Sequence, residues 1–259
     1  MEKPPIQSFF RVSDENLYHG VSTDIVIMGY HDRRLKVLLQ RLIGTRKWSL
    51  PGGYIDKRQS VETAAKLIVE SRTGLRDLTL FQFGVYSEPG RIGEDKYDLA
   101  RFTNERGGDV DLNHWIFQNV ISICFCALVD FDKAVPSPNH EFEECRWWDL
   151  NSLPELIYDH ASMIEGAMEY LKVRCYMKPI GKDLLPEKFT LPDLRSLYET
   201  ILGKPLDDRN FSKKLTHIGL IEKLDERKKI GPHRSPYLYS FNTEVYDTLS
   251  KESSIIIMS

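Results

Sequence analysis

The sequence predicts an α/β (α+β) domain over residues 1–176, a linker over 177–188 and a C-terminal winged helix-turn-helix domain over 189–259. Three observations predict it. Strand-like and helical runs follow one another through the first part, the pattern of a mixed sheet covered by helices. Residues 178–188 (KPIGKDLLPEK) hold two prolines and a glycine, which suits a connection. Helix, turn, helix and hairpin then follow, the layout of a winged helix. The chain has 259 residues, enough for one large domain or two small ones.

Asp24 to Tyr30 (DIVIMGY) reads as a strand, HDRRLK as a turn and Lys36 to Leu42 as a second strand, together a hairpin. Trp48 to Ile55 (WSLPGGYI) contains a Pro-Gly-Gly breaker. Ser60 to Thr73 is helical, with Ser60 as N-cap and Gly74 just past the end. Leu78 to Tyr86 is strand-like, and Pro89 to Asn113, polar and Gly-rich, reads as a long loop. Trp115 to Phe131 is a bent or split strand region, Arg146 to Leu150 a short strand and Ser162 to Val173 a helix burying Met163, Ala167, Tyr170 and Leu171. In the second part, Leu191 to Leu202 is a helix and Gly203 to Leu206 a turn. Asp207 or Asp208 caps a helix running to about Ile218. Leu220 to Leu224 and Tyr237 to Phe241 form the hairpin, and the basic loop between them is the wing.

Composition narrows the function. Hydrophobic residues are 41% and charged residues 28%, as in a globular protein rather than a disordered or fibrous one. The longest apolar run, Val120 to Val129, is too short to span a bilayer, and the N-terminus lacks the pattern of a signal peptide. The four cysteines show no Cys-x-x-Cys spacing, so neither a zinc site nor a disulfide framework is expected, and a cytoplasmic location follows. Net charge is -3, yet Glu187 to Phe241 carries 11 Lys/Arg against 8 Asp/Glu, so the excess of acid lies elsewhere. Within Arg209 to Arg234 the tally is 8 basic to 3 acidic, which points to an anionic partner.

Gly52 to Leu75 (GGYIDKRQSVETAAKLIVESRTGL) resembles the Nudix box of the Nudix hydrolase superfamily. Gly53, Val69, Gly74 and Leu75 fill its glycine and aliphatic slots, and Trp-x-Leu-Pro-Gly precedes it. The charged slots are lost. Gln59 stands at the first Glu, Leu67 and Ile68 at Arg-Glu, and Ser71 and Arg72 at Glu-Glu. Magnesium needs several carboxylate oxygens in near-octahedral array. At about 100° per residue, positions 68, 71 and 72 share one helix face, and here that face offers no carboxylate. Glu70 lies about 200° round from position 68. Neither a metal, a cofactor nor catalytic residues are therefore expected. The rival is a Nudix hydrolase using relocated carboxylates such as Asp56, Glu62 or Glu70.

Lys188 to Leu215, with Tyr158 to His160 (YDH) and Ile180 to Phe189, resembles the Nudix-related transcriptional regulators, over roughly Thr23 to Phe241. That resemblance implies a Nudix-like sandwich domain that senses a small effector without hydrolysing it. Known members respond to ADP-ribose and related NAD metabolites or to sugars such as arabinose, and the sugar group often has a decayed box, as here. It also implies a homodimer that reads a palindromic operator in double-stranded DNA, with no role at a membrane. Arg41, Trp48, Tyr86, Arg91 and Trp115 are the groups suited to holding a polar effector. Phe211, Leu215 and Ile218 recur at helical spacing and face the core, which turns Arg209, Asn210, Lys213, Lys214 and His217 outward. Arg reads guanine and Asn adenine, while Lys grips phosphate. Arg227, Lys228, Lys229 and Arg234 are the wing's candidate backbone contacts.

Overall fold

The structure, a computed structural model, describes residues 14–105, 111–138, 143–228 and 235–251. They fall into two compact units. The first holds the described residues of 1–28, 37–128 and 133–167, and the second those of 29–36, 129–132 and 168–259.

The first unit is built on a six-stranded sheet in the order β4-β5-β1-β2-β6, with β3 paired to β1. Its strands are β1 (Leu17–His31), β2 (Arg34–Leu42), β3 (Gly52–Asp56), β4 (Leu80–Tyr86), β5 (Ile121–Val129) and β6 (Glu143–Asp149). Ile25 to Met28 and Val37 to Leu39 are wholly buried, so the central strands read as continuous apolar runs rather than alternating ones. The turn between β1 and β2 has Asp32 at φ 49° and Arg33 at φ 59°, the left-handed pair that matches strand twist in a two-residue hairpin.

Helix α1 (Val61–Thr73) follows β3. Ser60 caps it by accepting from Thr63 N, and Gly74 closes it at φ 72° with its N–H on the Glu70 carbonyl. Both ends are as the sequence predicts. The Pro-Gly-Gly element is different. It does not break the chain but opens β3, where Gly52 pairs with Asp24 and Gly53 with Thr23. A Cβ on Gly52 would collide with Asp24 Oδ1, so glycine serves close approach there rather than a turn.

The expected long loop is also corrected. Its middle is a helix, α2 (Asp95–Asn104), which buries Ala100, Phe102 and Thr103 under a mostly charged outer face. Those outer charges hid the apolar face. Residues 106–110 of that loop lie outside the described residues. The Trp115 to Phe131 region splits into a short 3-10 turn, Trp115–Phe117, capped by His114, and then β5. Helix α3 (His160–Met177) buries Met163, Ala167 and Leu171 completely and leaves Tyr170 half-exposed.

In the second unit, α4 (Leu191–Leu202) starts at a capping box of Thr190 and Asp193 and ends at Gly203, φ 68°. Helix α5 (Asp208–His217) is capped by Asp207, which accepts from Asn210 N. Strands β7 (Ile221–Arg227) and β8 (Tyr237–Phe241) form the hairpin. Its core includes Leu194, Leu197, Tyr198, Ile201, Phe211 and Leu215, with the Tyr198 and Phe211 rings edge to face at 5.4 Å. Residues 178–188 form no helix or strand, yet Ile180, Leu184 and Leu185 are buried, and Ile180 N donates to Tyr198 Oη at 2.9 Å. A further helix, α6 (Thr243–Lys251), was not anticipated; it packs through Tyr246, whose hydroxyl donates to the Pro179 carbonyl. The apolar tail 255–258 lies outside the described residues.

Candidate effector cleft and nucleic-acid interface

Strands β1, β2 and β3 and the start of α3 enclose a cleft of roughly 680 Å³, part of it open to solvent. Asp24, Gln40, Tyr54, Arg91, Tyr158 and His160 are among its lining residues. Arg91 is committed on all sides. Its Nε and Nη2 donate to Asp159 at 2.9 and 2.6 Å, and Nη1 donates to the Val120 carbonyl at 3.0 Å. Its side chain is only 4% exposed, so the guanidinium is a neutralised structural cation rather than a free anion receptor.

Asp24 and His160 both line the cleft. Ser122 Oγ donates to Asp24 Oδ2. Leu50 N donates to His160 Nδ1 at 2.9 Å, which leaves the proton of the neutral ring on Nε2, 3.9 Å from Asp24 Oδ1. Burial holds the His160 pKa below the ordinary histidine value, against the opposing pull of Asp24. Burial likewise pushes the Tyr158 hydroxyl up to about 12 and the Cys124 thiol up to about 12. Gln40 Oε1 is buried and accepts no hydrogen bond among the described residues. The cleft therefore offers a carboxylate acceptor, Asp24 Oδ1, and no uncommitted cation from Arg91.

The five residues expected to hold an effector are scattered by the structure. Arg91 lines the cleft. Arg41 lines a neighbouring hollow of about 540 Å³ and is paired to Glu144 at 3.0 Å. Trp48 is 2% exposed and stacks with the Arg41 and Arg146 guanidinium groups at 4.9 and 4.6 Å. Tyr86 donates to the Ser162 carbonyl at 3.1 Å, in a space left by Gly166. Trp115 donates to Asp14 at 2.6 Å and stacks on His19. Sequence reasoning did not place Asp24, Gln40, Tyr158 or His160 in the cleft. The available signal was an aspartate at the head of a wholly apolar strand, where an unpaired charge is costly.

The magnesium implied by a Nudix box does not fit the residues present. On α1, Ser71 Oγ donates back to the Ile68 carbonyl at 2.8 Å, and Arg72 is 2% exposed. Glu70 pairs with Arg76 at 2.6 Å. Asp56 pairs with Arg58, whose guanidinium holds the carboxyl down at about 2. Among the described residues no group of three His, Cys, Asp or Glu side chains is arranged to hold a metal ion.

The second unit presents a different surface. Phe211 and Leu215 are buried and Ile218 is half-buried. Arg209, Asn210, Lys213 and His217 are exposed in a row along α5, with Lys214 half-exposed beside them. On the hairpin, Lys223 and Arg227 lie over the Tyr237 ring, 3.5 and 3.8 Å from its centre. Lys228 is tethered 3.2 Å from Asp193, in the capping box of α4. Lys229 and Arg234, the other expected wing contacts, lie outside the described residues.

A sheet-and-helix domain carrying a Nudix box, followed by a winged helix, defines a Nudix protein with a DNA-binding type of second domain. The chain belongs to the Nudix family: the NUDIX domain matches residues 18–167, and the NrtR DNA-binding winged helix domain matches 181–241. It is 27% identical over 234 residues to the ADPR responsive transcriptional repressor NtrR of Acinetobacter baylyi, covering 88% of this chain and 84% of that protein. The fold is that of Shewanella oneidensis NrtR, crystallised with a 27mer DNA, at 23% identity and a TM-score of 0.68 over 88% of this chain and 95% of that one. A MutT/nudix family protein from Enterococcus faecalis shares it at 19% identity and a TM-score of 0.61, over 87% of each chain.

Proposed function

We propose that this chain is a DNA-binding transcriptional regulator whose Nudix domain senses a small effector and performs no hydrolysis. The exposed row Arg209, Asn210, Lys213 and His217 on a capped helix carries the reading. Such a row is what a recognition helix needs to read base edges and grip phosphate. The likeness to a repressor along 84% of its length supports it. The lost metal face of α1 supports the absence of hydrolysis. The working form is a cytoplasmic homodimer reading a palindromic operator, with the effector domain in 1–176, a linker in 177–188 and the winged helix in 189–259. Among the described residues no helix is long and apolar enough to cross a membrane.

The effector carries a sugar, free or as the ribose of an ADP-ribose-like nucleotide. Sugar hydroxyl groups donate to Asp24 Oδ1, while Arg91 is already paired with Asp159. The relative's response to ADP-ribose supports the nucleotide form. The test is a titration of ADP-ribose and of free pentoses and hexoses against the protein bound to its selected duplex. One of them is expected to shift DNA affinity by a factor of about 5–150. No shift with any of them, together with magnesium-dependent phosphate release from nucleoside diphosphate sugars, would make the chain a hydrolase.

A further inference from the structure

A recognition helix enters DNA by its N-terminal turn, where the helix dipole favours phosphate. The corresponding turn of α5 begins with two aspartates. Asp207 is used in capping, accepting from Asn210 N at 2.8 Å. Asp208 makes no cap and its side chain is 67% exposed, one residue before Arg209 and two before Asn210. Left alone, its charge would oppose the phosphates those residues approach.

It is not left alone. Arg195, on the preceding helix α4, reaches across so that its Nη1 sits 2.7 Å from Asp208 Oδ1. One turn further along α4, Glu199 Oε1 accepts from Leu206 N at 2.9 Å and lies 3.7 Å from Arg195 Nε. Two side chains of α4 thus hold both the turn between the helices and the first residue of α5. An ion pair this exposed adds little to folding stability. Beside a polyanion the same pair removes a repulsive charge from the approaching face.

We propose that Arg195 is a positioning residue for DNA binding: it neutralises Asp208 and fixes the start of the recognition helix without touching DNA itself. The inference rests on the regulator reading above, and its test separates the two. The full-length protein is titrated by fluorescence anisotropy with a labelled duplex recovered by genomic selection, at two salt concentrations, alongside Arg195→Ala, Asp208→Asn and the double variant. Arg195→Ala is expected to weaken binding about tenfold with the salt slope and the melting temperature nearly unchanged. Asp208→Asn alone should bind as tightly as the parent or more tightly. The double variant should recover binding to within about threefold of the parent, because the charge that needed Arg195 has gone. A double variant as weak as Arg195→Ala would overturn the proposal. So would a salt slope lowered by about one in Arg195→Ala, since Arg195 would then contact phosphate directly. Should Arg195→Ala fail to fold, Arg195→Gln keeps the aliphatic stem and carries the same expectation. If the parent itself shows no salt-dependent binding to any duplex, the regulator reading fails; if the parent binds and the variants match it, only the role of Arg195 fails.

Discussion

Helices α1 and α5 are equally well made and unequally equipped. Each begins at a side-chain cap, Ser60 in one and Asp207 in the other. Each buries an apolar face, with Ala64, Ala65 and Val69 in α1 and Phe211 and Leu215 in α5. The outward faces differ. In α1, Ile68, Ser71 and Arg72 share a face, and of these Arg72 is buried and Ser71 is turned onto its own backbone. In α5 the outward face keeps Arg209, Asn210, Lys213 and His217 exposed. The lesson is that caps and apolar spacing make a helix whatever its other face carries, because the two depend on different residues.

The largest expected effect breaks the first region. Arg91→Ala leaves Asp159 without its partner in a mostly buried pair, at a cost of about 3–5 kcal/mol. Chemical denaturation measures that loss, and the variant should also stop responding to effector. A smaller effect sharpens the second region. Arg209→Ala should cost about 1–3 kcal/mol of binding to the selected site and relax choice at one base pair. Lys213→Ala should instead weaken binding to every duplex and lower the salt slope by about one. Equal, small losses from both would remove α5 from the groove. The matched caps come next. Ser60→Ala and Asp207→Ala should each destabilise by about 1 kcal/mol, but only Asp207→Ala should alter DNA affinity.

The smallest effect is one of pH. Burial holds the folded pKa of His160 below its ordinary value of 6.5. Below that value the unfolded chain binds a proton that the folded ring refuses, so stability is present above it and falls as pH drops beneath it. Melting temperatures taken across that range should show the slope, and His160→Gln should flatten it.

Legibility in the sequence followed the same division. Caps and spacing placed α1, α4 and α5 within a residue or two, since those signals are local. Helix α2 was read as loop because four of its ten residues are charged and only three are buried. Gly52 was read as a breaker because its reason, the carboxylate of Asp24 on a neighbouring strand, is distant in sequence. The outward row of α5 could be read from helical period alone. The cleft could not, since Asp24, Gln40, Arg91 and His160 come from four separate stretches. Trp48 and Trp115 attracted notice as aromatics, and their partners turned out to be Arg41, Arg146, Asp14 and His19.

Selection of bound fragments from the host genome, followed by titration of the best at two salt concentrations, tests the central claim most directly. The account predicts a palindromic site and an affinity that falls steeply with salt, by about 0.9 in the logarithmic slope for each phosphate gripped. Flat, weak binding with no enriched sequence would contradict it, and would leave the exposed row of α5 as surface alone.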